Sequence, residues 1–434
     1  MKIIINNGRI IDPSQGIDGT GDIFIENGKI REIRMPAPPP LSKGGRRGVS
    51  APDLRTIDAS RLLIIPGLID MHVHLREPGF EYKETIKTGT SAAVRGGFTT
   101  VCCMPNTFPV NDNASVTEFI KRKASQEGCC SVLPIGAITK GQKGEELAEI
   151  GTMRNEGCVA FSDDGQPVMN SLIMRRALEY SKAFNVPIIS HCEDITLSED
   201  GVMNEGLLSI TLGLKGIPAE AEQVMIFRDI LLAEMTGGKL HIAHVSTEGS
   251  VNLIRDAKQR GVHVTAETCP HYFSLTEEAV KGYNTNAKVN PPLRTARDTK
   301  AIKEGLRDGT IDAIVTDHAP HHTDEKLREF DMAPFGISGL DTALSLSLKL
   351  VNEGVLTLSQ LIERMALSPA RILGIDRGTL RTGSDADLVI VDLNKEFMVE
   401  PERFISKGRN TPFAGWRLEG MPVFTTYKGK LYEW

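Results

Sequence analysis

Residues 63–75 read LIIPGLIDMHVHL. The run is almost continuously apolar, and it ends in two histidines one residue apart. An extended chain alternates faces with period two, so His72 and His74 point the same way. Arg76 joins them if the extended conformation continues. Three ligating or basic groups on one face make poor core and a good site. Taken alone, a His-x-His is equally compatible with an exposed edge strand.

Seven further apolar runs follow: FTTVCCMPN (98–106), SVLPIGAIT (131–139), CVAFSDDG (158–165), VPIISHCED (186–194), LHIAHVST (240–247), HVTAETCPH (263–271) and IDAIVTDHAPH (311–321). Between most of them lie segments with a 3.6-residue apolar period closed by glycine, such as AEAEQVMIFRDILLAEMTGG (219–238) and EGSVNLIRDAKQRG (248–261). Eight apolar strands alternating with helices predict an α/β chain, a parallel (β/α)8 TIM-type barrel. In such barrels the site lies at the C-terminal ends of the strands. Those ends here carry His72, His74 and Arg76, then Asn106, Asp163 and Asp164, His191, His244, and Asp317 with His321. Chance would scatter these residues over helices and loops, so their coincidence with strand ends points to a metal centre.

The two ends of the chain read differently. KIIINNGRIID (2–12), DIFIENGKIREI (22–33) and RTIDASRLLIIPG (55–67) are β-like, and so are GTLRTGSDADLVIVDL (378–393) and PVFTTYKGKLYEW (422–434). They predict a small composite β-sandwich domain built from both termini, residues 1–63 and 375–434, around a barrel at 64–374. Residues 36–55, rich in Pro, Gly and Ser, have no period and are expected to form a surface loop of unassigned role.

Net charge is −6 and the pI about 6.0, which leaves no basic surplus for nucleic acid or an anionic membrane. The nearest basic patch is the short GGRRG at 44–48. No apolar stretch reaches membrane-spanning length, and the N-terminus lacks a signal-peptide pattern. Seven cysteines without C-x-x-C fit reduced thiols and a cytoplasmic location.

Four histidines and two carboxylates suit a borderline cation such as Zn²⁺. Six ligands exceed one tetrahedral site and fit two metals sharing a carboxylate. A metal-activated hydroxide would be a strong nucleophile near neutral pH, and Asp317 can move its proton to a leaving nitrogen.

The set H-x-H, mid-chain acid, two single histidines and strand-8 Asp resembles the amidohydrolase superfamily. DMHVHLREPG, MPNT, FSDDG, HCED, KVNPPLR, TDHAPH, APFGISGLDTA and the tail GTLRTGSDADLVIVD resemble, more closely, the bacterial class I dihydroorotases. The resemblance covers essentially the whole chain, and the 36–55 stretch looks longer than the family usually has. It implies that His72, His74, Asp164, His191, His244 and Asp317 bind one or two Zn²⁺. It places the bridging ligand at Asp164 rather than Asp163, where many relatives carry a carboxylated lysine, and makes Asp317 the proton shuttle. It further implies that His74, Arg76, Asn106, Asn290, His321 and the backbone at Phe335–Gly336 contact the substrate. The implied reaction is reversible hydrolysis of the cyclic amide of (S)-dihydroorotate to N-carbamoyl-L-aspartate in pyrimidine biosynthesis. Arg76 has the planar fork of donors that a substrate carboxylate needs.

Other residues read as structural. His241, three before His244, faces the other way; His263 starts a strand; His318 faces away from the metals; His271 lies at the rim; Cys192 is core filler. Two rival functions share these features. A hydantoinase or allantoinase should lack the Arg76, Asn106 and Asn290 set and carry lysine at the bridge. A non-catalytic partner of aspartate transcarbamoylase should have lost metal ligands. An active homo-oligomer that also associates with such a transcarbamoylase is compatible with the sequence.

Overall fold

The computed structural model describes residues 2–35 and 54–434. The expected Pro/Gly-rich loop lies, up to residue 53, outside the described residues, as does the GGRRG patch.

Eight parallel strands form the barrel in chain order: β1 (Leu68–Val73), β2 (Phe98–Cys103), β3 (Ser131–Gly136), β4 (Ala160–Ser162), β5 (Ile188–Ser190), β6 (Leu240–Ile242), β7 (Val264–Thr268) and β8 (Ala313–Ile314). Each consists mainly of apolar and β-branched residues and is buried on both faces, as a sheet covered by helices requires. The barrel closes beyond the end of β8. Val73 bridges His318 in parallel, and the His74 amide donates to the His318 carbonyl at 2.8 Å. The helices that follow β1, β2, β4, β6 and the 264–295 segment begin at Thr85, Asn113, Asn170, Thr247 and Thr295. Each of these side chains accepts from the first-turn backbone amides that a helix leaves unpaired.

The opening run 63–75 serves two sheets. Leu63–Pro66 pairs with Arg9–Ile10 and with Leu388–Val391, whereas Leu68–Val73 pairs with β2. The change of sheet falls at Gly67. A Cβ there would lie 2.1 Å from Thr99 Oγ1, so only glycine lets the two backbones pass this closely. The terminal strands form one continuously hydrogen-bonded sheet of eight strands, drawn from Lys2–Arg34, Leu54–Pro66 and Leu388–Glu433. Ile3, Ile5, Ile23, Ile64, Leu388 and Ile390 make its own core. Ile11, Leu63, Ile65 and Val389 instead join Phe98 in the core shared with the barrel.

Asp70 ties the first strand to the last. Its carboxylate accepts from Thr316 Oγ1 at 2.6 Å, from the Thr316 amide at 3.2 Å and from the His72 amide at 3.1 Å. Burial pushes this carboxyl up to about 6, against the pull of those donors. Asp70→Ala should leave three buried donors without an acceptor. We expect a loss of about 2–4 kcal/mol in denaturant unfolding; a change below about 0.5 kcal/mol would show that the closure does not depend on this residue.

Candidate active site

The C-terminal ends of the strands surround a pocket of about 480 Å³. At its floor Asp164, just beyond β4, stands among four imidazoles. Its Oδ1 lies 3.2 Å from His72 Nε2, 3.4 Å from His244 Nε2 and 3.7 Å from His191 Nδ1, and its Oδ2 is 3.4 Å from His74 Nε2. Asp317 reaches the same group from beyond β8, with Oδ1 at 3.1 Å from His74 Nε2 and 3.5 Å from His72 Nε2. All six residues expected as metal ligands are therefore brought together, and all are buried.

The neighbours of each ring fix which nitrogen faces inward. His72 Nδ1 is 2.7 Å from Glu267 Oε1, His74 Nδ1 is 2.9 Å from Asn106 Oδ1, and His191 Nε2 is 3.1 Å from Glu193 Oε2. Each partner is an acceptor, so each of these ring nitrogens carries the proton and the other presents a lone pair to the centre. His191 Nδ1 and His244 Nε2 approach to 2.8 Å. His72 Nε2, Asp164 Oδ1 and His244 Nδ1 are buried without a hydrogen-bond partner. Converging lone pairs, orphaned buried donor atoms and an all nitrogen-and-oxygen ligand set fit a divalent cation such as Zn²⁺.

Electrostatics agree with that reading. Burial works against charge on His191, but Asp164 and Glu193 outweigh it and raise the ring to about 10. His72 is raised too, because Asp164 and Glu267 overcome its burial. Asp317 is lowered to about 2, its burial outweighed by His74, His72 and His244. The carboxylates thus demand positive charge at the centre, which protons or a cation can supply.

Asp163 points elsewhere. It accepts from the Ile138 amide at 2.8 Å, the Thr139 amide at 3.0 Å and the Thr139 hydroxyl, anchoring the loop after β3. His318 faces away from the centre, toward Glu84 at 3.3 Å and the Gly339 amide at 3.2 Å. His271 is buried rather than at the rim, and desolvation lowers it to about 4. Cys192 packs in the core against Ser190.

Arg76 departs from the expected geometry. The strand ends at Val73, and Arg76 has φ +61°, so the shared strand face does not extend to it. It still lines the pocket, with Nε donating to the Pro320 carbonyl at 3.3 Å. It makes no ion pair with any carboxylate among the described residues, which leaves most of its fork free. His244 (φ +34°) and Asp317 (φ +46°) share this left-handed conformation, which costs a non-glycine residue about 1–2 kcal/mol. Three site residues just past strand ends thus share one strained backbone conformation.

Asn106, Asn290, His321, Phe335 and Gly336 line the rest of the pocket. Asn290 Nδ2 donates to Glu193 Oε2 at 2.9 Å, so its Oδ1 is the atom left for a ligand. His321 differs from expectation as a ligand donor. Burial and three nearby cations hold it neutral, leaving one N–H, and Nε2 sits 2.8 Å from the Phe335 carbonyl. Gly336 has φ +138°, and a Cβ there would meet the Ala319 carbonyl at 2.7 Å.

Sequence reading missed four residues. Glu267 joins His72 to His241, whose Nε2 lies 3.0 Å from Oε2. Glu193 links His191 to Asn290. The Lys288 ammonium donates to the Phe330 and Asp331 carbonyls, and Lys326 to those of Thr285 and Pro334, pinning the segment that carries Phe335–Gly336. Period-two alternation could have found the two acids. Glu267 is the one charge inside β7, and Glu193 is two residues past His191.

The model of the Dihydro-orotase-like family matches residues 61–250. A dihydroorotase of Geobacter metallireducens is 58% identical over 99% of both chains, and one of Syntrophus aciditrophicus is 54% identical over 99% of both. Among solved structures, an L-hydantoinase from Arthrobacter aurescens superposes with a TM-score of 0.86 at 28% identity, covering 99% of this chain and 95% of its own. A D-hydantoinase gives 0.84 at 26%, with the same coverage. With full-length identity above half, this chain belongs to the dihydroorotase family.

Proposed function

We propose that this chain hydrolyses the cyclic amide of (S)-dihydroorotate reversibly to N-carbamoyl-L-aspartate, as a zinc-dependent step of pyrimidine biosynthesis in the cytoplasm. The observation that carries the substrate assignment is Arg76, an unpaired guanidinium on the wall of a pocket whose floor is a six-ligand cluster. A carboxylate on the substrate supplies its missing partner. Hydantoin has no carboxylate and would leave that half-buried charge unmatched.

His72, His74, Asp164, His191, His244 and Asp317 would hold one or two Zn²⁺. When bound, the metal supplies a Lewis acid and an acidified water. The chain's own groups do the rest. Glu267, Asn106 and Glu193 take the outward protons of His72, His74 and His191 and keep their lone pairs inward. Asp317, held ionised by the imidazoles, accepts the proton of the attacking water and returns it to the leaving ring nitrogen. Arg76 binds the substrate carboxylate, with the Asn106 amide beside it: Asn106 Oδ1 faces His74, so Nδ2 is free to donate. Asn290 Oδ1 accepts a ring N–H, and the Phe335–Gly336 backbone borders the ring.

Three variants separate these roles. Asp317→Asn keeps the size and removes the base, so kcat should fall about 10²- to 10⁴-fold; a drop below tenfold would assign the proton to another group. Arg76→Met should lower kcat/KM for dihydroorotate about ten- to a few hundred-fold with bound metal unchanged, the loss of one charge-assisted contact. Unchanged kinetics in Arg76→Met, or a wild type that turns over hydantoin and not dihydroorotate, would overturn the substrate assignment. Glu267→Gln should weaken metal binding about 10- to 100-fold, measured by competition with a chelator, while the fold is retained. Wild-type affinity in that variant would remove Glu267 from the site.

A further inference from the structure

The terminal sheet sends one loop back to the barrel. Residues 399–416 join the strands Leu388–Met398 and Arg417–Tyr427, and the loop runs against two segments that form one wall of the pocket. Within it Asn410 is buried and does not itself line the pocket. Its Oδ1 accepts from the His321 amide at 3.0 Å and from the Ser338 hydroxyl at 2.8 Å. Its Nδ2 donates to the Ala319 carbonyl at 3.0 Å and to the Gly336 carbonyl at 2.9 Å. A primary amide has two lone pairs on oxygen and two N–H groups, so every bonding position of this side chain is used. The Asn410 carbonyl also accepts from the Ser338 amide at 2.8 Å. Two residues earlier, Gly408 packs so closely that a Cβ would lie 2.3 Å from Ser338 Oγ and 2.6 Å from Pro320 Cβ.

We propose that Asn410 is a positioning residue for the substrate ring: it sets the spacing between segments 319–321 and 334–338, and with it the fit of the Phe335–Gly336 wall. This rests on the substrate reading given above. Ala319, His321, Pro334, Phe335 and Gly336 line the pocket. Apart from the His318–Ile337 bridge, these segments belong to no helix or strand, so tertiary bonds must hold their backbone groups. Asn410 staples the two segments together with both ends of one amide. The pattern needs an amide in this orientation. The reversed amide would set donor against donor and carbonyl against carbonyl, and a carboxylate would face two carbonyls with lone pairs. The metal cluster does not depend on this staple. The segment bearing Asp317 is fixed separately, by Thr316 on Asp70 and by the bond from the His74 amide to the His318 carbonyl. Loss of the staple therefore loosens the substrate and leaves the reacting groups in place, a loss shared by ground and transition states.

The test is steady-state kinetics of the purified full-length chain on dihydroorotate, with bound metal measured on the same samples. In Asn410→Ala, KM should rise about 10- to 100-fold, while kcat stays within about threefold of wild type and the metal content is unchanged. Thr425→Val is the control. It removes another buried bond from the terminal sheet to the barrel, the one to the Val94 carbonyl at 2.9 Å, and Thr425 does not line the pocket, so KM should not move. A merely structural contact would lower the folded fraction, and hence kcat, and leave KM alone. That pattern in Asn410→Ala, or an equal rise of KM in Thr425→Val, overturns the proposal. Should Asn410→Ala fail to fold, Ser338→Ala removes one of the two donors to Oδ1, with an expected rise in KM of about threefold or more. A wild-type KM in folded Ser338→Ala then overturns the proposal. A wild type that does not turn over dihydroorotate overturns the substrate reading and this proposal with it. An active wild type beside an Asn410→Ala variant of unchanged KM overturns this proposal alone.

Discussion

Asp164 puts a carboxylate within 3.2–3.7 Å of four imidazole nitrogens at the buried floor of the pocket, largely removed from bulk water. An ion taken out of water costs several kcal/mol unless it is paired and hydrogen-bonded. The surrounding chain meets that demand layer by layer. Asp317 adds a second negative charge on the same imidazoles, and Glu267 and Glu193 orient the rings from outside. His241 and Asn290 then secure those two acids. With neutral rings the two central carboxylates leave two uncompensated negative charges, the charge of one divalent cation. The barrel supplies rigid strand ends for this cluster, and its closure through Asp70, Thr316 and His318 fixes β1 against the segment that bears Asp317.

The backbone contributes as much as the side chains. Arg76, His244 and Asp317 all occupy left-handed conformations just past their strands, where the chain turns from the sheet into a loop. The strain is local, and the packing of the barrel beneath it holds it in place. The buried ammonium groups of Lys288 and Lys326 act in a similar way on the opposite wall, where they grip backbone carbonyls rather than carboxylates. Desolvation lowers them to about 8 and about 7, with Lys288 adding repulsion at Lys326.

Much of this was legible in the sequence because parallel barrels give strong signals. Eight apolar runs with chemistry at their ends gave the architecture, and the ordered motifs gave the family. What was not legible depends on tertiary geometry. The alternation rule placed Arg76 on the face of His72 and His74, yet the strand stops at Val73 and a turn delivers the side chain. His321 reads as a donor to substrate, but its one N–H is directed at Phe335, a residue fourteen positions away. Glu267 was passed over because a single acid in an apolar strand has no sequence partner; its partners, His72 and His241, arrive from two other strands. The choice between Asp163 and Asp164 came from family resemblance, while the structure supplies a physical difference between them: one is filled with backbone amides, the other is surrounded by imidazoles.

That difference between the two carboxylates decides where metal is held. Bound zinc, measured by atomic emission on the purified chain after removal of free metal, should be lost in Asp164→Ala and kept in Asp163→Ala. A full metal complement in Asp164→Ala, or its loss in Asp163→Ala alone, would contradict a centre organised around Asp164.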